Sequence, residues 1–366
     1  MGVIAALLLV GIAPLLAAPP ETGVVVASDG ASFYRNTIPQ VTRLGDGRLL
    51  VVWGGQGKND GGNGRIYGAF SSDGAITWSK PRLLIDDPKF NDGDPNTLVD
   101  GNTVWVYATR VRIPNDIRNA WTWMVKSTDN GATWSEPRQI VIPHQYTPGK
   151  QHNAIRLRDG TYAMGISWDL WAEQGMAART EGEMDLASGL LLSADGENWT
   201  LAGNLHAAVP GKVRPGYTNG LCEPSIAQLA DGEILMILRT GGPRHWEARS
   251  RDGGHTWTKP APSGLTGANT PSALWRNERD PGEVVAVWNS NPLQRWPLVV
   301  AVSSDGGRTW SSPRILANPG RQVSYPGLTQ LTDGMFVAVW QEARADGGRD
   351  IRWARFTREW ALGLAL

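Results

Sequence analysis

Glu223 lies eight residues before the Asp231-Gly232 pair, and Tyr325 lies eight before Asp333-Gly334, so a carboxylate and a phenol hold the same place relative to two like turns. Arg35 stands eleven residues before Asp46-Gly47, Asp94 six before Asp100-Gly101, and Gln151 and His152 eight and seven before Asp159-Gly160. These types can do chemistry together. A phenol can attack an electrophilic carbon, a carboxylate can take the phenol's proton, and a guanidinium can grip an anion. Lining such groups up in a dry centre is costly unless something is gained from them.

The register has meaning because the elements around it repeat. A strand-like run, an Asp-Gly turn and a second run with alternating apolar residues recur along the chain, as in EPSIAQLADGEILMILR. In the fifth copy the turn is Arg279-Asp280-Pro281-Gly282. Each of the first five hairpins is followed by an octet, Ser-x-Asp-x-Gly-x-Thr-Trp, complete at Ser127–Trp134, Ser250–Trp257 and Ser303–Trp310. Ser71–Trp78 has Ala75 in place of the glycine, and Ser193–Trp199 is one residue short. The closing tryptophans are 53 to 65 residues apart, a period that reads as one propeller blade per repeat. The octet is a turn that fastens itself: aspartate bonds backbone N–H groups, glycine accepts positive φ, and tryptophan buries its ring. Five equivalent turns cannot all line one pocket, so these aspartates read as structural staples, not as metal ligands or catalysts.

The spacing divides the chain into six blades, giving an all-β, six-bladed β-propeller of four-stranded antiparallel blades. The last blade lacks an octet. Residues 320–357 are expected to supply three of its strands and the segment at 23–28 the fourth, closing the ring. Residues 170–186 are the least strand-like and are expected to overhang one face.

Eighteen tryptophans and 44 glycines suit short strands and tight turns. Lys plus Arg equals Asp plus Glu at 35 each, so no whole-molecule field favours nucleic acid or an anionic membrane. Any anion must be captured by a local cluster. Residues 3–18 form an apolar run of signal-peptide length. The domain reading is therefore residues 1–18 as a signal peptide, or an uncleaved anchor, and 19–366 as the propeller. A single cysteine, Cys222, provides no disulfide framework and reads as small core.

Tyr34-Arg35-Asn36-Thr37-Ile38-Pro39, with five such octets downstream, resembles the sialidase (neuraminidase) superfamily of Asp-box, or BNR-repeat, proteins. Two residues separate Arg35 from Ile38-Pro39, a departure from the family's aromatic-Arg-Ile-Pro signature. The resemblance implies three arginines that clamp a substrate carboxylate: Arg35, then Arg239, sixteen residues after Glu223, then Arg295 before the fifth octet. It places Tyr325 as the nucleophile, Glu223 as its base, and Asp60, in the Gly-rich stretch GGQGKNDGGNGR, as the acid/base for the leaving oxygen. A phenol suits an anomeric carbon that carries a carboxylate, because a neutral attacker avoids charge repulsion. With a free pKa of about 10, only on the order of 0.1 % is ionised at pH 7, so a base is required. The family's usual further arginine before the aspartate is missing, and Lys58 is the nearby cation. Asp94, Arg110 and His152 are further candidates to line the cavity.

The reading is an exported retaining exo-α-sialidase that frees terminal sialic acid or a related acidic sugar, without cofactor or metal. It would act as a monomer on acidic glycans, with no nucleic-acid partner and no membrane insertion beyond an N-terminal anchor. The alternatives are a hydrolase or lyase for another acidic saccharide, and a non-catalytic lectin or adhesin.

Overall fold

The computed structural model describes residues 17–113, 116–144, 152–170, 184–267 and 269–364. Residues 1–16 of the leader, Gln151 and most of the expected overhanging loop lie outside them. Among the described residues no helix is long and apolar enough to cross a membrane.

The chain is a succession of four-stranded antiparallel meanders arranged as a β-propeller. After β1 (Glu21–Val26) come β2 (Arg35–Arg43), β3 (Leu49–Gln56), β4 (Arg65–Ser71) and β5 (Arg82–Ile85). The next meander holds β6 (Phe90–Asp100), β7 (Thr103–Arg112), β8 (Asp116–Ser127) and β9 (Arg138–Ile140). A third holds β10 (Ile155–Arg156), β11 (Tyr162–Asp169), β12 (Asp185–Ser193) and β13 (Thr200–Leu205), with β14 (Asn219–Gly220) pairing β12. Then follow β15 (Cys222–Gln228), β16 (Ile234–Arg239), β17 (Arg244–Ser250) and β18 (Ala261–Thr266), and β19 (Ala273–Arg276), β20 (Val284–Asn289), β21 (Leu298–Ser303) and β22 (Arg314–Ala317). The last strands are β23 (Val323–Gln330), β24 (Phe336–Ala343) and β25 (Arg349–Phe356), ahead of the short helix α1 (Arg358–Leu362).

The N-terminal strand closes the structure as expected: β1 pairs antiparallel with β25, from Glu21 opposite Arg355 to Val26 opposite Ile351. The expectation of six separate blades is corrected. Hydrogen bonding yields four free-standing blades and one eight-stranded sheet in which β23–β24–β25, with β1, continue into β2–β5. The fusion rests on a single parallel pair, Arg35 opposite Arg349, where β2 leaves its own meander to meet β25.

Side chains of period two fill the spaces between neighbouring meanders. Val285, Val300, Phe336 and Trp340 share one cluster, Val51, Trp53, Val339 and Ile351 another, and Val52, Ile66, Val104 and Val125 a third. Three more join the remaining neighbours, so the hydrophobic core is a ring of clusters and not one centre. Each fully buried aliphatic side chain contributes roughly 1.5–3 kcal/mol.

Two kinds of turn occupy one end of the meanders. The Asp-Gly turns join first to second strands, with Gly232 at φ 93 and the aspartate capping its own bend, as when Glu233 N donates to Asp231 Oδ1. The octets join third to fourth strands. In one, Ser127 Oγ donates to Asp129 Oδ1 at 2.7 Å and accepts from Gly131 N at 2.8 Å, while Asp129 accepts from Thr133 N and Oγ1. The pattern repeats at Asp73, Asp252 and Asp305, and Asn198 serves Asp195 in the short copy. Trp78, Trp199 and Trp257 each donate their indole N–H back to the turn.

Candidate functional site

At the opposite end the first strands begin, and four of them carry the same irregularity. Ile38, Asp94, Glu223 and Tyr325 have φ of 51, 49, 44 and 57, and each precedes a proline. The register of the first strand on the second shifts at each: between Thr37 and Gln40, Gly93 and Asn96, Cys222 and Ser225, and Ser324 and Gly327. Proline has no N–H for the ladder, so a bulge is where it fits, and the bulge re-aims the side chain before it. A left-handed L-residue costs about 1–2 kcal/mol, and for a β-branched residue such as Ile38 the conformation is an outlier. Such strain collects at functional sites.

Three of the four bulged residues, Ile38, Asp94 and Tyr325, line one cavity of about 350 Å³. Arg35, Arg295 and Arg349 line it too. Arg295 places its guanidinium 5.4 Å from the centre of the Tyr325 ring and donates to Asn269 O at 2.8 Å. Arg35 and Arg349 are brought side by side by the parallel bridge. Arg349 is held in place by its backbone: its N–H donates to Tyr34 O, and its carbonyl accepts from Asn36 Nδ2. Burial, and then the neighbouring Arg35 and Arg295, push the Arg349 guanidinium below its ordinary pKa. None of the three arginines has a carboxylate within ion-pair distance among the described residues. The bulges are also tied to one another, since Gln341 accepts from Ile38 N and donates to Ser324 Oγ.

The other expected residues are placed differently. Arg239 and Glu223 are not among the residues lining this cavity; they form a buried ion pair, Arg239 Nη1 to Glu223 Oε1 at 2.6 Å. The bulge peptide there is anchored by Glu223 N donating to Ser167 Oγ. The other carboxylate oxygen, Oε2, is buried and has no hydrogen-bond partner among the described residues. Glu223 nonetheless holds the bulge position that Tyr325 holds in its own meander. Asp60 also lies off the cavity lining. It accepts from Gly57 N and from Arg65, which reaches Asp86 as well. Burial acts to raise the Asp60 pKa, but Arg65 and the Gly57 amide outweigh it and hold the carboxyl below its ordinary value.

Arg110 is buried and fastened to Asp92 through Nε and Nη2, beneath the ring of Trp123 at 4.0 Å; Asp92, not Arg110, reaches the cavity. Burial raises the Asp92 pKa against the pull of Arg110. His152 lines a separate axial void of about 20 Å³, where burial lowers its pKa to about 3. Cys222 is a buried thiol, as small core. Among the described residues no group of His, Cys, Asp and Glu could hold a metal ion.

Two residues escaped the sequence reading. Arg349 sits on a third strand, where the first-strand register gives no signal. Arg65 follows Asp60 instead of preceding it, and pairs with it as a cation. A signal for the bulges was present: Ile38, Glu223 and Tyr325 are each the residue before a proline, eight before a turn aspartate.

A BNR repeat-like domain model matches residues 47–339. The chain belongs to the BNR repeat-like family. Among known proteins it is 26% identical over 303 residues to a sialidase of Bacteroides fragilis, covering 71% of this chain and 51% of that protein. It is 26% identical over 372 residues to a sialidase of Micromonospora viridifaciens, covering 92% and 53%. The chain thus spans about half the length of these two relatives. Its propeller superposes on Trypanosoma rangeli sialidase in complex with the inhibitor DANA at a TM-score of 0.74, with 14% identity, covering 94% of this chain and 60% of that one. A protein of unknown function from Dyadobacter fermentans gives a TM-score of 0.73 at 18% identity, covering 92% and 98%. The family match and the sialidase relatives agree with the superfamily resemblance carried by Arg35 and the octets.

Proposed function

We propose that this BNR-repeat propeller is a retaining exo-α-sialidase-like glycoside hydrolase acting on terminal sialic acid or a related acidic sugar. One observation carries the reading: three guanidinium groups, Arg35, Arg295 and Arg349, face one cavity beside Tyr325 with no carboxylate partner among the described residues. Unpaired arginines crowded together are unfavourable until an anion joins them, and hydrogen bonds to a charged group contribute about 1.5–3 kcal/mol each. Arg349 takes the third place in the clamp, and Arg239 instead positions Glu223. We also count the fused sheet as two blades, giving six; the six larger core clusters among the described residues, each lying between neighbouring meanders, support that count, and a small seventh groups Met184, Leu186 and Cys222.

In the proposed reaction the Tyr325 oxygen bonds to the anomeric carbon as the bond to the leaving oxygen breaks. The phenol proton passes to Glu223, whose Oε2 takes no hydrogen bond among the described residues. Asp60 protonates the leaving oxygen once it exchanges Arg65 for substrate. Water then attacks the anomeric carbon as its bond to the Tyr325 oxygen breaks; the water gives a proton to Asp60, and Glu223 returns its proton to the phenolate.

The test is release of an aryl alcohol from an aryl α-sialoside by the purified protein and by Tyr325→Phe. The variant should retain binding of a free sialic-acid analogue and lose turnover by about a thousandfold or more. The observed Asp60–Arg65 pair favours one second reading, a lectin that keeps the clamp without turnover. Saturable glycan binding with no release by wild type would establish that reading instead. Turnover of other acidic glycosides alone would favour a different saccharide. Export is proposed from the apolar leader, and sequencing the N-terminus of protein recovered outside the cytoplasm would test it.

A further inference from the structure

The larger cavity of the propeller is at the other end. About 660 Å³ in volume, it opens among the Asp-Gly turns, where the first strands end, and it shares no lining residue with the arginine cavity beside Tyr325. Its charged lining consists of Arg43, Arg156, Arg158 and Arg276 against one acid, Glu278. Arg43 is committed to Glu278 at 2.8 Å and to Gln330 O, and Arg156 stands 3.6 Å from Asp100. Arg158 and Arg276 have no carboxylate partner among the described residues. The turn aspartates nearby do not supply one: Asp159 accepts from Thr161 N and Asp280 from Gly282 N.

Two unpaired guanidiniums and two paired ones in a concave basin focus positive potential within it, although the chain as a whole has a formal net charge of zero. A long polyanion would find no extended field to follow. A short one would find several charges within a volume that falls in the range of ligand pockets. The half-buried Trp275 lines the basin and provides ring surface for the apolar face of a sugar. We propose that this basin is a second, non-catalytic site for a short anionic saccharide with two or more carboxylate or sulfate groups. It stands apart from the proposed hydrolase site, so either can fail without the other.

The experiment is calorimetric titration of the whole chain with a uronic-acid trisaccharide and, separately, with a sulfated disaccharide. The probe that binds identifies the anion. Binding should saturate, weaken as salt rises, and fall by at least about tenfold, or 1.4 kcal/mol, in Arg158→Ala and in Arg276→Ala. Both variants should melt like wild type and keep its turnover of the aryl sialoside. Arg295→Ala should leave this binding unchanged. Failure of both probes to saturate, wild-type affinity in either basin variant, or loss of binding in Arg295→Ala would overturn the proposal.

Discussion

The two ends of the propeller treat polar groups in opposite ways. At the turn end, octets and Asp-Gly hairpins satisfy themselves: each aspartate finds its donors within four residues, and positive φ falls mostly on glycine, with Ala75 and Asn130 the exceptions. At the strand-start end, left-handed conformations fall on isoleucine, aspartate, glutamate and tyrosine, and Arg35, Arg295 and Arg349 crowd with no carboxylate within ion-pair distance among the described residues. The turns at the first end are complete as folded. At the second, the strain is supported by the ring of packed clusters behind it.

The largest effect expected from breaking this contrast is at the buried ion pair. Arg239→Met leaves Glu223 buried without its cation and should cost about 3–5 kcal/mol in denaturant unfolding. A loss below about 1 kcal/mol would mean that the pair is solvated and the strand-start end is less demanding than described. Next in size is Arg349→Ala, which should weaken binding of a free sialic-acid analogue by about tenfold or more, consistent with one or two hydrogen bonds to a charged group. Unchanged affinity would return the clamp to Arg239 and sharpen the account of which arginines face the anion.

The smallest effect lies at the turn end. Thr133 and Thr256, first through their hydroxyls and then through their amides, hold Asp129 and Asp252 at about 2, below the ordinary 3.8. A carboxylate depressed in the folded state contributes stability above its unfolded pKa and loses it as pH falls through the folded one. Wild type should therefore lose melting temperature between about pH 4 and pH 2 more steeply than Asp129→Asn or Asp252→Asn. Parallel curves would show that these carboxylates do not hold the turns.

The same contrast explains what could be read in the sequence. Self-contained turns leave local signatures, so the octets and the Asp-Gly register were legible, and with them the meanders and the closing role of β1. The register also put Glu223 and Tyr325 at equivalent places, which the paired bulges bear out. Long-range encounters left no such mark. Arg349 reaches the cavity through one parallel bridge between strands more than 300 residues apart in the chain, and that bridge also fuses two expected blades into one sheet. The spacing of sixteen put Arg239 beside Glu223, but spacing carries no information about whether the two satisfy each other or a ligand.

The most direct test is mass spectrometry of the protein's peptides after incubation with a 2,3-difluorinated sialic acid, whose fluorines slow breakdown of a glycosyl–enzyme bond. The account predicts one sugar adduct, on the peptide containing Tyr325, absent when Tyr325 is replaced by Phe. An adduct on Glu223 or Asp60, or turnover of aryl sialoside with no adduct at all, would contradict it.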